Sequence, residues 1–144
     1  MVEGKHHRLD GAKRGPAPAH PIQIWVGAYK PRMLRLVGAK ADGWLPSLGY
    51  LGSIEDLSAG NAVIDEAARE AGREPGAIRR LLNVGALPGG VRDWTEQLAE
   101  IALEHGVASF ILGSDDPGVL LAFGEEIAPA VRELVARERA ARSA

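Results

Sequence analysis

The chain contains no cysteine, which excludes disulfide bonds, thiolate catalysis and thiolate metal ligands. It also lacks any apolar run near the roughly 18 residues of a membrane span, and its N-terminus has no apolar core of a signal peptide. The formal net charge is only −2, which gives no reason to expect nucleic acid or an anionic membrane as a partner. These absences favour a cytoplasmic protein.

The composition that is present is globular, with 46% hydrophobic and 25% charged residues. Apolar runs of strand length alternate with stretches of helical periodicity. The predicted strands lie at 22–26, 42–44, 78–87 and 109–113, and the predicted helices begin near 31, 53, 93 and 116. The helices near 53 and 93 begin with capping-box patterns. This alternation indicates an α/β fold with about four parallel βα units and right-handed crossovers.

The first 20 residues have a different character from the rest of the chain. They are basic and polar and include Gly15, Pro16 and Pro18, which predicts an irregular or extended arm. Residues 21–144 contain no low-complexity tract and no sharp composition change, so we expect a single folded unit there.

Residues 21–46 are the most informative stretch for function. The buried strand predicted over 22–26 stops at Gly27, and Pro31 suits the first turn of a helix, where a missing N–H costs nothing. The apolar face predicted for this helix carries Met33, Leu34, Val37 and Ala41. The N–H groups from Ala28 to Arg32 then lie at a helix N-terminus, where the dipole attracts anions. We expect a phosphate to fit there.

Residues 21–46 also resemble a known family, the luciferase-like monooxygenases, which are TIM-barrel flavin enzymes that include bacterial luciferase and deazaflavin-dependent oxidoreductases. The strand that ends in Gly27-Ala28, the Pro31-Arg32 pair and the segment 41–46 (ADGWLP) are similar to that family's fifth strand, fifth helix and sixth strand. Further similar segments lie at 4–9, 64–68, 71–75, 78–83 and 126–132. The resemblance covers nearly the whole chain.

The resemblance implies the C-terminal half of a (β/α)8 barrel, preceded by the extended arm. A complete barrel has eight βα units and typically about 250 residues, whereas this chain has 144. The implied activity is that of an oxidoreductase acting on a small-molecule substrate. The implied cofactor is the deazaflavin coenzyme F420, with FMN as the alternative.

The resemblance also implies which residues hold the cofactor. Gly27, Ala28, Tyr29 and Lys30 match the family loop whose backbone contacts the cofactor phosphate. The alternative for Gly27 is that it merely permits the turn. Arg32 could pair with the phosphate, although an arginine in a first helical turn is more often exposed to solvent.

Two further residues are candidates for the wall of the substrate pocket. Trp44 suits a flat ring ligand, and core packing is an equally good interpretation. Asn83 could contact a ligand or satisfy the barrel interior. For Asp42, the structural role of accepting backbone N–H bonds is favoured over catalysis, and helix capping is favoured for 114–116.

No catalytic or metal-binding residue is predicted in the chain. None of the four histidines has the partner spacing of a catalytic triad or a zinc site. The resemblance agrees, because the family's acid–base groups come largely from its first four strands.

Four parallel strands would leave two open edges and an inner face suited to burial, so association is expected. The partner is either a second copy or a different chain that carries the complementary half-barrel. Three functions remain open: an oxidoreductase completed by that partner, a non-catalytic cofactor-binding or assembly module, and an inactive truncated relic.

Overall fold

The structure, a computed structural model, describes residues 2–6, 8–11, 13 and 15–143. Near the start of the chain, two short strands, β1 (Val2–Glu3) and β2 (Arg8–Leu9), pair in antiparallel fashion. This small pair is separate from the main sheet. Within the described residues, no helix is both long and apolar enough to cross a membrane.

The main sheet has four parallel strands that lie in chain order. They are β3 (Trp25–Val26), β4 (Gly43–Trp44), β5 (Arg79–Val84) and β6 (Ser109–Leu112). The helices are α1 (Pro31–Lys40), α2 (Asp56–Glu70), α3 (Val91–Glu104), α4 (Pro117–Ala122) and α5 (Ala128–Arg142). The predicted α/β fold with four parallel βα units is confirmed, and its strand order is the one that consecutive barrel strands have.

Short helical turns complete the chain. Two are of the 3-10 type, at Leu48–Tyr50 and Pro75–Ala77, and a π-helical turn at Phe123–Ile127 joins α4 to α5. The π-helical turn ends two residues before Pro129, which lies in the first turn of α5, where a missing N–H costs no helical hydrogen bond.

The first strand of the sheet is shorter and more exposed than the sequence predicts. Only Trp25–Val26 pairs as a strand, and the side chains of Ile22 and Ile24 are 71% and 63% exposed. The prediction of a buried strand over 22–26 is therefore wrong. β3 is an edge strand, and no described strand pairs with its far side.

The helix boundaries mostly follow their capping residues. Helix α2 begins at Asp56, whose carboxylate accepts the N–H groups of Gly52 and Ser53 at 2.8 and 3.2 Å. Helix α3 begins at Val91, two residues before the predicted start. Asp93 is its third residue and accepts the Gly90 N–H at 2.8 Å.

Helices α1 and α4 begin where the sequence predicts. Of the apolar face expected on α1, Leu34 and Val37 are buried, but Met33 is 40% exposed because no described element covers it. At α4, Asp116 caps the helix by accepting the Val119 N–H at 3.0 Å, which is the role favoured for it.

The core lies between the sheet and the helices. Its fully buried side chains come from every layer: Val37, Leu57, Ile64, Leu82, Val84 and Leu98. Trp44 joins them at 2% exposure, and its indole lies so close to Gly60 that a Cβ on Gly60 would be 2.4 Å from the ring. Glycine at 60 is therefore what lets α2 lie over the tryptophan.

Helices α1 and α2 pack closely at Gly38. A Cβ on Gly38 would lie 2.3 Å from the carbonyl oxygen of Ile64, so a larger residue cannot fit without moving backbone. Arg73, which follows α2, donates to the carbonyl oxygens of Gly38 and Ala41 at 2.6 and 2.8 Å. Because those carbonyls are unpaired at a helix C-terminus, Arg73 satisfies the end of α1.

A polar cluster ties β5 to α2 and α3. The Arg80 guanidinium pairs with Asp65 and donates to Asn61 Oδ1 at 2.7 Å, while Asn61 donates to the carbonyl of His105 at 2.8 Å. Burial lowers the pKa of Arg80, and the Asp65 carboxylate opposes that shift. The cluster satisfies a nearly buried cation, so its role here is structural.

The inner face of the sheet is the one opposite to Trp44 and its contact with Gly60 of α2. Trp25 lies on this inner face, because a Cβ on Gly43 would meet its ring at 2.7 Å and the Leu81 side chain at 2.9 Å. By strand alternation, Asn83 and Ile111 share the face, and Ile111 is 39% exposed. This inner face is thus partly apolar and partly open.

Candidate functional site

The loop between β3 and α1 carries the predicted phosphate-binding residues. It lies at the carboxyl ends of the strands, where α/β proteins bind their ligands. The Lys30 carbonyl accepts the N–H groups of Met33 and Leu34 at 2.9 and 3.0 Å. In the described part of the chain, the N–H groups of Tyr29, Lys30 and Arg32 have no hydrogen-bond partner. Three donors are therefore available at the positive end of the α1 dipole.

The charged side chains at this loop are positive, as is the N-terminal end of the α1 dipole. Segment 21–41 contains no aspartate or glutamate. Lys30 and Arg32 are exposed, and neither forms an ion pair with a described residue. The loop is thus suited to an anion.

Gly27 and Ala28 are held by the neighbouring strand. Gly27 does not have a positive φ, but a Cβ there would lie 3.2 Å from the carbonyl oxygen of Leu45. Ala28 is buried, and its carbonyl accepts the indole N–H of Trp44 at 2.9 Å. The close approach of two backbone segments thus accounts for the glycine, and Trp44 fixes the position of the loop.

Tyr29 joins the loop to the segment after β4. Its hydroxyl accepts the N–H of Ser47 at 2.9 Å, and its ring contacts Tyr50 edge-on with centroids 6.0 Å apart. The tyrosine therefore braces the loop, a role that local sequence spacing does not reveal, since Tyr29 and Tyr50 are far apart in the chain.

Trp44 lies on the helix side of the sheet and not on the inner face. It packs in the core, which is one of the two interpretations of Trp44 that the sequence left open. Its indole also borders a cavity of about 480 Å³. Tyr29, Lys30 and Tyr50 line the same cavity. The tryptophan is therefore adjacent to the predicted phosphate loop but separated by the sheet from the inner face.

Asn83 lies on the inner face near the carboxyl end of β5. Its side-chain amide donates to the Ser47 hydroxyl at 3.2 Å, and its backbone N–H donates to the Pro46 carbonyl at 2.9 Å. Ser47 thus meets two predicted site residues, Tyr29 and Asn83, although the sequence alone did not indicate it.

Asp42 lies at the other end of the sheet. It precedes β4, and its carboxylate accepts the N–H of Ile24 at 2.8 Å. This is the structural role favoured from the sequence, and it places Asp42 at the amino ends of the strands.

The histidines form no site in the described chain. His105 lies at the end of α3, where its Nδ1 is 2.9 Å from the Ser58 hydroxyl. His6 and His20 are exposed, and His7 is outside the described residues. No group of three or more histidine, aspartate or glutamate side chains among the described residues is arranged to hold a metal.

A known protein family matches almost the whole chain. The profile of the luciferase-like monooxygenase family matches residues 1–141. The chain belongs to this luciferase-like family. The strand, loop and helix that form the candidate site all lie within the matched residues.

Curated relatives of this luciferase-like chain are oxidoreductases by name. A phthiodiolone/phenolphthiodiolone dimycocerosates ketoreductase of Mycobacterium tuberculosis is 38% identical over 78 residues, which are 54% of this chain and 20% of the relative. An F420-dependent glucose-6-phosphate dehydrogenase of Nakamurella multipartita is 38% identical over 52 residues, which are 36% of this chain and 15% of the relative. The matched segments thus span a fifth or less of these relatives.

Among solved structures, the luciferase-like chain is similar to the coenzyme F420-dependent tetrahydromethanopterin reductase of Methanopyrus kandleri. The sequence identity is 20% and the TM-score is 0.39. The match covers 79% of this chain and 35% of the reductase.

Proposed function

We propose that this chain supplies the C-terminal half of a barrel to a deazaflavin-dependent oxidoreductase, and that the start of α1 binds the cofactor phosphate. FMN is the alternative cofactor. Family membership supports the proposal, and the F420 named for the Nakamurella relative favours the deazaflavin. A small-molecule substrate and a cytoplasmic location belong to the same proposal.

The observation that carries the proposal is the set of unpaired donors at the beginning of α1. The N–H groups of Tyr29, Lys30 and Arg32 lie at the N-terminus of α1. The same segment has two cationic side chains, Lys30 and Arg32, and segment 21–41 has no acidic residue. This donor set fits a phosphate group, which backbone N–H groups and an arginine bind together.

The chain's own residues would bind and position the cofactor. Tyr29 and Trp44 hold the loop in place through Ser47 and Ala28. Trp25 and Asn83 would form part of the wall that keeps water from the reacting atoms. When bound, a reduced deazaflavin supplies a hydride to its substrate. Groups that move protons would come from the complementary half.

Ligand binding by the full chain tests the proposal. We expect F420 to bind in a fluorescence titration, and Arg32→Gln to weaken that binding about tenfold because a charged contact to phosphate is lost. Arg69→Gln, an exposed arginine in the last turn of α2, is the matched control and should bind as the unchanged chain does.

Three results of this titration would contradict the proposal or change it. If neither F420 nor FMN binds, or if both variants lose affinity equally, the loop is not the phosphate site. Binding without oxidation of the reduced cofactor in the presence of ketone substrates would identify a non-catalytic cofactor-binding module. Gly27 is a poor test position, because a side chain there also meets the Leu45 carbonyl.

A further inference from the structure

Two polar side chains lie together on the inner face of the sheet, near the carboxyl ends of the strands. The amide nitrogen of Asn83 donates to the hydroxyl oxygen of Ser47 at 3.2 Å, and both residues are half-buried. An asparagine amide has two N–H donors and one carbonyl acceptor. After the contact with Ser47, one N–H and the Oδ1 of Asn83 have no partner in the described chain.

Ser47 is itself held in place, so it can fix the direction of the Asn83 amide. The Ser47 N–H donates to the Tyr29 hydroxyl at 2.9 Å, and its carbonyl accepts the Tyr50 N–H at 3.0 Å. Ser47 also forms a parallel β-bridge with Asn83. Because the serine backbone is fixed on both sides, its hydroxyl orients the amide and leaves the remaining N–H and Oδ1 for a ligand.

An apolar layer lies on the same face, closer to the amino ends of the strands. The Trp25 ring lies over Gly43, where an added Cβ would be 2.7 Å from it and 2.9 Å from the Leu81 side chain. Asn83 is two residues beyond Leu81 on β5, which is about 7 Å nearer the carboxyl end. Apolar walls with a few placed polar groups are typical of pockets for small organic ligands.

One residue joins the polar pair to the phosphate loop. Tyr29 contributes an unpaired backbone N–H to the loop, and its hydroxyl accepts the N–H of Ser47. The loop carries the cations Lys30 and Arg32, whereas the side chains of Ser47 and Asn83 are neutral. A ligand that reaches both places would thus have an anionic end and a neutral part that both donates and accepts hydrogen bonds.

We propose that the Asn83 amide, oriented by Ser47, binds the pyrimidinedione edge of a flavin or deazaflavin ring. This edge has a ring N–H between two carbonyl oxygens. Oδ1 of Asn83 accepts the ring N–H, and the remaining amide N–H donates to a ring carbonyl. Asparagine recognises the edge of adenine by a similar two-bond pairing. The inference rests on the proposed function, which supplies the ring, and in it Ser47 is a positioning residue.

Ligands without phosphate test the ring contact by itself. Riboflavin and 5-deazariboflavin have the ring edge, and fluorescence titration of the protein that contains this chain gives their dissociation constants. We expect Asn83→Ala to raise the constant about tenfold, because hydrogen bonds to the ring are lost. Ser109→Ala is the matched control, since Ser109 pairs in register with Leu81 at the amino end of β6. It should leave both constants unchanged.

A second variant covers the case in which Asn83→Ala does not fold. Asn83→Asp keeps the shape of the side chain but loses its N–H donors, and its carboxylate repels the ring carbonyls. It should weaken binding at least tenfold, and far-ultraviolet circular dichroism checks the folding of both variants. If the unchanged protein binds neither ring, or if a folded Asn83 variant binds as tightly as the unchanged protein, the proposal is wrong.

A methylated ligand separates direct contact from a structural effect. A methyl group on the nitrogen of the pyrimidinedione edge removes the N–H that Asn83 accepts. The unchanged protein should bind 3-methylriboflavin about tenfold more weakly than riboflavin, whereas Asn83→Ala should bind the two equally. Since the two ligands are compared on one variant, a folding defect cannot produce this result. A tenfold preference that persists in Asn83→Ala would overturn the contact.

The same pair of ligands tests the positioning role of Ser47. Ser47→Ala removes the hydroxyl that orients the amide, so the preference for riboflavin over 3-methylriboflavin should fall. Ser47→Thr keeps a hydroxyl and should restore the preference. An undiminished preference in Ser47→Ala would show that Asn83 does not depend on Ser47.

Failure of this proposal can be told apart from failure of the phosphate loop. Arg32→Gln should weaken binding of FMN but not of riboflavin, because only FMN has a phosphate. If Arg32→Gln weakens FMN binding while the Asn83 variants bind riboflavin normally, the ring contact is wrong and the loop is supported. The reverse pattern supports the ring contact and contradicts the loop.

Discussion

Two tryptophans on neighbouring strands have opposite surroundings. Trp44 is 2% exposed, and its indole N–H donates to the carbonyl of Ala28. Trp25 pairs in register with Gly43, the residue next to Trp44, yet it is 41% exposed on the inner face. The difference shows that, among the described residues, α2 covers Trp44 on one face of the sheet while Trp25 on the other face stays partly open. The same residue type therefore stabilises the fold on one face and leaves apolar surface available on the other.

The largest effect should come from truncating the covered tryptophan. Trp44→Ala removes a fully packed ring and leaves a cavity against Gly60, so we expect a loss of about 3–5 kcal/mol in the free energy of unfolding. Trp25→Ala should cost less, about 1–3 kcal/mol, because its side chain is 41% exposed and so buries less apolar surface. Urea denaturation at low protein concentration measures the free energy of unfolding of both variants. Equal losses would show that the two tryptophans do not differ in how well they are packed.

A smaller effect is expected where α1 and α2 pack on the covered side. Gly38→Ala places a Cβ against the backbone of α2, and overpacking of this kind typically costs about 1–3 kcal/mol. Gly76→Ala is the matched control, since nothing lies within 4 Å of its added Cβ. Thermal unfolding of both variants sharpens the comparison, and an unchanged melting temperature for Gly38→Ala would show that the two helices separate easily.

The smallest effect should come from the solvent side of the helices. Arg142 pairs with Glu104, and this hydrogen bond lowers the pKa of Glu104 from its ordinary 4.5. Because the pKa of Glu104 is lower in the folded state, its ionised carboxylate stabilises the fold above pH 4.5. This stabilisation is lost as the pH falls through the folded-state pKa.

Arg142→Gln should therefore reduce stability slightly at pH 7 and by less at pH 3, because Glu104 is increasingly protonated as the pH falls. Urea denaturation at both pH values, at low and high salt, measures the difference. A loss of the same size at pH 3 would mean that the arginine acts through packing and not through its charge.

The elements were predictable because their signals are local. Pro31 fixed the start of α1, and Asp116 the start of α4, since each residue acts on its own first turn. Alternation of strands and helices was sufficient to predict the parallel sheet and its four units. The exposure of Ile22 and Ile24 was not predictable, because an apolar run is the same whether its strand is central or at an edge.

The candidate site was predictable only in part. The sequence indicated the loop after β3, because a glycine followed by a proline-started helix marks a helix N-terminus. It gave no sign that Ser47 would form hydrogen bonds with both Tyr29 and Asn83, since these contacts join residues 18 and 36 positions apart. The polar cluster around Arg80 was missed for the same reason.

The order of the sheet bears on how the chain acquires its structure. Strands β4, β5 and β6 each pair with the strand that precedes them in the chain, so none of them waits for a later segment before it can be placed. Parallel pairing across an intervening helix is slower than hairpin formation, but synthesis delivers the N-terminal units first. The sheet can thus grow by one unit at a time as the polypeptide leaves the ribosome, with α1 held by Arg73 as soon as α2 has emerged.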